Sequence, residues 1–211
     1  MPQSFSSPDL SQTRLGVRFF EQSAMDVAKQ LLGVIMNRRL GGQILRARII
    51  ETEAYLGPKD LASHSSKGRT ARTEVMFGPP GRAYVYFIYG MYDMFNVIVG
   101  VPGEAEAVLF RAAEPLDGWQ ADLSGPGKLA RAFRITRADN ASDLTGDEIY
   151  FESDARCLSR NLCILPLGVL GNWSTNSTSR GYSCPERCSL TKFFNCSESS
   201  WLGDAPGTRV T

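Results

Sequence analysis

Residues 83–100 read AYVYFIYGMYDMFNVIVG, two apolar, aromatic-rich runs broken at Gly90. Strand-forming residues divided by a glycine predict a β-hairpin with its tip at Tyr89, Gly90 and Met91. Side chains alternate along a strand, so Tyr84 and Tyr86 share one face and Phe87 and Tyr89 the other. Rings on both faces usually mean core. A ring at the tip of a hairpin instead projects from the fold.

The same pattern lies on either side. Residues 33–40 (GVIMNRRL) and 43–56 (QILRARIIETEAYL) are strand-like and joined at Gly41-Gly42, a second hairpin signal, and residues 105–115 (AEAVLFRAAEP) form a strand ended by Glu114-Pro115. Helical spacing places Ala24, Val27, Ala28, Leu31 and Leu32 on one face of residues 23–33, with Ser23 and Asp26 as a capping box and Gly33 as the stop. Residues 124–133 (SGPGKLARAF) open a helix with a Ser cap and a Gly-Pro entry. Between these, residues 57–81 are rich in Gly, Pro, Ser and Thr and read as a long functional loop, with room for a short helix at DLASH. Strands meeting in hairpins with helices at their ends predict an α+β fold. We expect a single domain around a curved, mainly antiparallel β-sheet, with peripheral helices and a protruding β-hairpin.

The chain has 211 residues, 43% hydrophobic and 21% charged, which suits one domain of residues 15–160 with a flexible lead-in of residues 1–14. Apolar stretches run only a handful of residues before a Glu, Arg or Gly, and no basic-then-apolar leader opens the sequence. The expected location is the cytoplasm (the nucleoid in a bacterium) or a nucleus, with no secretion and no membrane. A net charge of +1 rules out a general field for polyanions, so nucleic-acid binding has to come from local patches. Lys67, Arg69, Arg72 and Arg82 against Glu74 make one such patch. All five cysteines sit at or after Cys157, and a cysteine-free first part fits a reducing compartment. Residues 161–211 read as an atypical Cys/Ser-rich tail, disordered or out of register with the reading frame.

Alternation in RARIIETEAYL puts Glu51, Glu53 and Tyr55 on one strand face and Ile50, Thr52 and Ala54 on the other. Two carboxylates and a phenol pack poorly, so that face meets solvent, a cation or a substrate. A solvated edge strand gives the same text. His64 is the only histidine, and a lone histidine is more often a hydrogen-bonding partner than a ligand. Glu51, Glu53, His64 and Asp93 lack a familiar metal-ligand spacing, and Cys184-x3-Cys188-x7-Cys196 lacks a fourth ligand. We expect no metal and no cofactor.

Four blocks in order, ETEAYLGPKDLASHSS, MFGPPGRAYVYFIYGMYDMFNVIV, VLFRAAEP and SGPGKLARAF, lie within roughly residues 15 to 152. Through them the chain resembles the alkyladenine (3-methyladenine) DNA glycosylase family. The resemblance implies a monofunctional purine DNA glycosylase of base-excision repair, which flips an alkylated or deaminated purine out of the duplex and hydrolyses its N-glycosidic bond without lyase activity. It implies Glu53 as the general base that activates water, and Tyr55 and Tyr86 as a sandwich for the base with His64 at its edge. Asn96 and Arg111 would form the polar wall, and Tyr89 would fill the vacated space in the duplex. Gly127 and Lys128 would hold a backbone phosphate. The implied partner is double-stranded DNA containing damaged purines, bound by a monomer, and the carboxyl of Glu53 should face a hollow able to hold a purine. The family's closing strands are not recognisable after about residue 157. That leaves a catalytically impaired damaged-DNA-binding protein of the same fold as a rival reading. A small-molecule hydrolase or carboxylate-metal enzyme using Glu51, Glu53 and His64 is a third.

Overall fold

The computed structural model describes residues 14–153 and the main chain of residues 180–183. The first thirteen residues, the five cysteines and the Cys/Ser-rich tail apart from residues 180–183 lie outside the described residues. Two short helices, α1 (Val17–Phe20) and α2 (Ala24–Gln30), precede the strands β1 (Ile35–Leu40) and β2 (Gln43–Tyr55). The hairpin of β3 (Ala83–Ile88) and β4 (Tyr92–Val99) follows, then β5 (Glu106–Pro115), α3 (Pro126–Ala132), β6 (Ile149–Glu152) and β7 (Arg180–Ser183). Every pairing is antiparallel, in the order β3-β4-β5-β2-β1-β6, and the sheet curls into a half-barrel. β2 is long enough to be shared: β1 covers residues 43–48 on one side, and β7 takes over along residues 51–54.

Helix termini follow local chemistry, with two departures from expectation. The Ser23 hydroxyl oxygen accepts from the Asp26 N–H at 3.3 Å and donates to the Asp26 carboxylate at 2.7 Å. The shorter aspartate thus takes the hydroxyl, where a longer glutamate reaches back to the cap's own N–H. At α3 the cap is Gly125, because the Ser124 hydroxyl donates to the adjacent Asp122 carboxylate at 2.6 Å. The loop of residues 57–81 contains three 3₁₀ turns, Gly57–Lys59, His64–Lys67 and Glu74–Phe77, and no α-helix at DLASH. There the Asp60 carboxylate accepts from the Leu56 and Ala62 N–H groups and closes a turn.

The helices cover one face of the sheet. Val27, Ala28 and Leu31, with Leu129 and Phe133, join Met36, Ile49, Ala54, Val85, Val97 and Phe110 in one buried cluster. Phe95, Phe110 and Phe151 stack through it at 4.9 Å and 5.2 Å between centroids. Thr52 is fully buried on this face and donates to the Ala28 carbonyl at 2.8 Å, so its hydroxyl is not stranded. The opposite face carries a smaller cluster, Met76, Tyr84, Ile98, Ala105 and Ala107, beneath the loop of residues 57–81.

Where β2 meets β5 the register slips twice. Ile49 pairs with Ala113, Glu51 with Ala112, and Thr52 with Phe110, so each strand carries one extra residue, Ile50 in β2 and Arg111 in β5. The buried positions of β2 accordingly change phase, from Ala47 and Ile49 to Thr52 and Ala54. Without that bulge, uninterrupted alternation would drive Glu51 and Glu53 into the apolar core.

Candidate active site

The bulge turns Glu51, Glu53 and Tyr55 to the loop-covered face and delivers Arg111 beside them. Arg111 Nε donates to Glu51 Oε1 at 2.8 Å, and its Nη1 donates to Glu53 Oε2 at 2.5 Å. All three are largely shielded, with side-chain exposures of 26% for Arg111, 21% for Glu51 and 19% for Glu53. Burial opposes the Arg111 charge, but Glu53 and Glu51 outweigh it and hold the guanidinium firmly protonated. Tyr55 stands next in line. Burial first, then the Glu53 charge and the hydrogen bond to Glu53, push its phenol far above the ordinary tyrosine range. The Tyr55 phenol therefore keeps its proton beside the carboxylate. A carboxylate has about four lone-pair sites, so Glu53 keeps acceptor capacity for a water after its contact with Arg111.

Beyond Tyr55 a narrow cleft is lined by His64, Tyr84, Tyr86, Asn96 and Ala107, from three strands and the 3₁₀ turn at His64–Lys67. His64 Nδ1 is 3.0 Å from the Tyr84 hydroxyl, and the His64 ring meets Tyr86 edge-on at 4.4 Å. Asn96, 1% exposed, gives its amide hydrogens to the Tyr84 and Met94 carbonyls, so its oxygen is the group left to offer. Tyr55, His64, Tyr86 and Asn96 thus line one cleft, with Glu53 and Arg111 adjoining it through Tyr55. The expected purine-sized hollow is not open, however. The space between the rings is about 20 Å³, room for one water. The His64 and Tyr86 rings meet in it at 4.4 Å, and a base between Tyr55 and Tyr86 requires the lining to part.

Tyr89 lies at the hairpin tip, 77% exposed, beside Met91 at 64%. Its φ is +53° and that of Gly90 +67°, and the Met91 N–H closes the turn on the Ile88 carbonyl at 3.2 Å. Positive φ at both central positions favours Asn or Gly, and a bulky tyrosine there is strained. Arg72 sits over the Tyr86 ring at 5.3 Å and Arg137 over the Phe87 ring at 4.5 Å, one on each face of the hairpin. The basic patch is weaker than its sequence suggests, since Arg69 pairs with Glu74 and Arg82 with Asp143, each at 3.5 Å. Gly127 is buried, and a Cβ there would stand 2.6 Å from the Tyr92 ring. Lys128 pairs with Asp122 at 2.8 Å and donates to the Ser124 hydroxyl at 3.1 Å. A larger open depression of about 360 Å³ runs past Trp119, Asp122, Lys128 and Arg131. It is lined by no tyrosine or histidine, and its one carboxylate, Asp122, is paired with Lys128, so the narrower cleft is the candidate site.

The sequence placed Arg72 only in a basic patch, and the resemblance gave Glu51 no role, although Glu51 holds one arm of the Arg111 fork. Among the described residues no group of three His, Cys, Asp or Glu side chains could hold a metal ion, and no helix is long and apolar enough to cross a membrane.

Known proteins share this arrangement of sequence. Relatives carrying the name "Putative 3-methyladenine DNA glycosylase" occur in several organisms. The one from Anaeromyxobacter dehalogenans strain 2CP-1 is 46% identical over 165 residues, spanning 76% of this chain and 78% of its own length. One from Anaeromyxobacter sp. strain Fw109-5 is 48% identical over 140 residues (66% and 72%), and one from Myxococcus xanthus is 50% identical over 128 residues (60% and 66%). Residues 18–162 match the family model of methylpurine-DNA glycosylase, and the chain therefore belongs to the methylpurine-DNA glycosylase family of DNA-repair enzymes.

Proposed function

We propose that this chain binds double-stranded DNA as a monomer, extrudes an alkylated or deaminated purine, and hydrolyses its N-glycosidic bond with water, without lyase chemistry. The observation that carries the reading is the Glu53 carboxylate, fixed between Arg111 and Tyr55 at the edge of a cleft of aromatic rings. Cleavage of the bond builds positive charge on the sugar. A carboxylate there orients the water for attack at C1′, accepts its proton and offsets the oxocarbenium charge. Arg111 holds that carboxylate in place beside the Tyr55 phenol, and Glu51 shares the guanidinium so that its charge is not spent on Glu53 alone.

In this reading Tyr55 and Tyr86 stack on the two faces of the base, with His64 and the Asn96 oxygen at its edges. Stacking contributes about 1–3 kcal/mol per base, comparable to the few kcal/mol that flipping costs. Purines alkylated at N3 or N7 carry positive charge, which favours both an aromatic sandwich and departure of the base. Tyr89, projecting from the hairpin, fills the gap in the base stack. Lys128 contacts a backbone phosphate by exchanging Asp122 for it, and Gly127 lets that turn of α3 close on Tyr92.

The test is incubation of the full chain with a duplex carrying a single hypoxanthine or 7-methylguanine. The expected products are free base and a strand that breaks only after alkali, with no protein–DNA adduct trapped by borohydride. A borohydride adduct would contradict water as the nucleophile. Tight binding of lesion duplex without base release would establish the binding-protein reading.

A further inference from the structure

The hairpin that carries Tyr89 has two faces, and they meet different neighbours. Toward the cleft lies Tyr86, with Arg72 above its ring at 5.3 Å; on the other face lies Phe87, with Arg137 above its ring at 4.5 Å. A tip that enters a groove of a duplex has a phosphodiester backbone on each side of it. On the cleft side the loop cations Arg69 and Arg82 are taken up by Glu74 and Asp143. The helix side is supplied differently.

There residues 127–137 leave the hairpin near its tip and return to it. Gly127 of α3 is pressed so closely on Tyr92 that a Cβ would stand 2.6 Å from the ring, and Arg137 reaches back to Phe87. Between these anchors every third residue is a cation, Lys128, Arg131, Arg134 and Arg137, and all four are exposed. Residues three apart on a helix are neighbours, and Lys128 and Arg131 line the open depression beside Trp119 together. Lys128 is held by Asp122 at 2.8 Å, and Arg137 faces Asp93 at 3.8 Å. Arg131 and Arg134 have no carboxylate partner among the described residues.

Arg134 is also held in a conformation that an arginine does not favour. At the end of α3 the Arg134 N–H donates to the Arg131 carbonyl at 3.0 Å and the Ile135 N–H to the Ala130 carbonyl at 2.8 Å. This paired cap puts the residue after the helix at positive φ, where glycine is usual, and Arg134 stands there at +52°. A glycine would relieve the strain and lose the charge.

We infer that Arg131 and Arg134 form a second backbone seat, which continues the row begun at Lys128 and holds phosphates of the duplex on the helix side of the hairpin. The inference rests on the proposed DNA-binding reading but names a surface that the chemistry at Glu53 does not touch. A phosphodiester backbone fits by charge: each strand presents one negative charge per about 3.4 Å of axis, and cations three residues apart on a helix recur every ~4.5 Å. Guanidinium forks suit phosphate oxygens.

The test is binding of the full chain to an undamaged duplex across salt concentration. Each phosphate neutralised contributes about 0.9 to the slope of log K against log salt. Arg131→Gln and Arg134→Gly should each reduce that slope by about 0.9, with lesion and undamaged duplexes losing affinity by the same factor. Arg131→Lys should restore it. Arg134→Gly should also raise the urea midpoint, a gain that a merely structural arginine would not combine with weaker binding. Arg18→Gln removes one exposed charge from α1, which meets the base of the hairpin where Phe20 touches Gly81 and Gly100, and should leave the slope near native. Slopes unchanged in both Arg131→Gln and Arg134→Gly would overturn the seat and leave this face to a partner other than DNA. So would an equal change in Arg18→Gln, which would reduce the effect to net charge. These measurements need no base release. A chain that releases no base yet loses slope in both variants keeps the seat and loses the proposed chemistry; one that releases base with both slopes unchanged does the opposite.

Discussion

The two faces of the β2–β5 pair are built from the same residues in alternation, yet they do opposite work. Toward the helices lie Ile49, Thr52, Ala54, Val108 and Phe110, packed with the one polar group satisfied by Ala28. Toward the loop lie Tyr55 and the charged Glu51, Glu53 and Arg111, with the two carboxylates sharing the one guanidinium. The boundary between them is set by the bulge, where Ile50 and Arg111 are each one residue more than the ladder needs. Stability should therefore reside on one face and chemistry on the other, and substitutions should separate the two.

The largest effect on folding belongs to the helix face. Phe110→Ala removes the middle ring of the Phe95–Phe110–Phe151 stack and should cost about 3–5 kcal/mol, read by urea unfolding. Excision per folded molecule should barely change, and a large loss among the folded fraction would erase the division between faces.

Next is the charged face. Arg111→Leu leaves Glu51 and Glu53 side by side without their shared cation. Removing one partner of a fully buried pair costs about 3–5 kcal/mol, and for this partly exposed one we expect roughly 1–3 kcal/mol at pH 7. Arg111→Lys, which keeps the charge, should recover part of that loss. A lysine variant as unstable as the leucine one would mean that Arg111 acts by packing alone.

Tyr89→Asn sharpens the contrast because it should move the two properties in opposite directions. An asparagine tolerates positive φ, so the turn should gain about 1 kcal/mol as strain is relieved, while retention of a flipped lesion weakens. A loss of stability would show that the Tyr89 ring is structural.

The smallest effect lies at Glu106, whose carboxylate accepts from the Ala24 N–H at 2.7 Å. Burial raises its pKa, so the folded state holds the proton more tightly than the unfolded chain does. Its contribution is complete at acid pH and declines as pH rises through the folded value. Glu106→Gln keeps an acceptor and removes that slope, so its melting temperature relative to the native chain should climb between pH 4 and pH 7. A flat or falling difference would contradict the sign.

Much of this division was legible from local text. The tip at Tyr89 and the shared face of Glu51, Glu53 and Tyr55 follow from glycine placement and period-two alternation, and both occur in the fold. The bulge is not legible, because Ile49 and Ile50 are both apolar and the slip exists only against β5, some sixty residues away. The Ser124 cap failed for a local reason, the competing Asp122 carboxylate. The closed cleft could not be read either, since the contact between His64 and Tyr86 depends on how a long loop settles over the sheet. Proximity of Arg72 to Tyr84 and Tyr86 arises the same way.

The central claim is that the Glu53 carboxyl performs the chemistry on the loop-covered face. Its most direct test is single-turnover release of hypoxanthine from a lesion duplex by Glu53→Gln, beside the native chain. A glutamine keeps the shape and an acceptor for Arg111 but cannot take a proton from water. We predict a fall of about 10²–10⁴-fold in the release rate with lesion binding retained; release at the native rate would contradict the account.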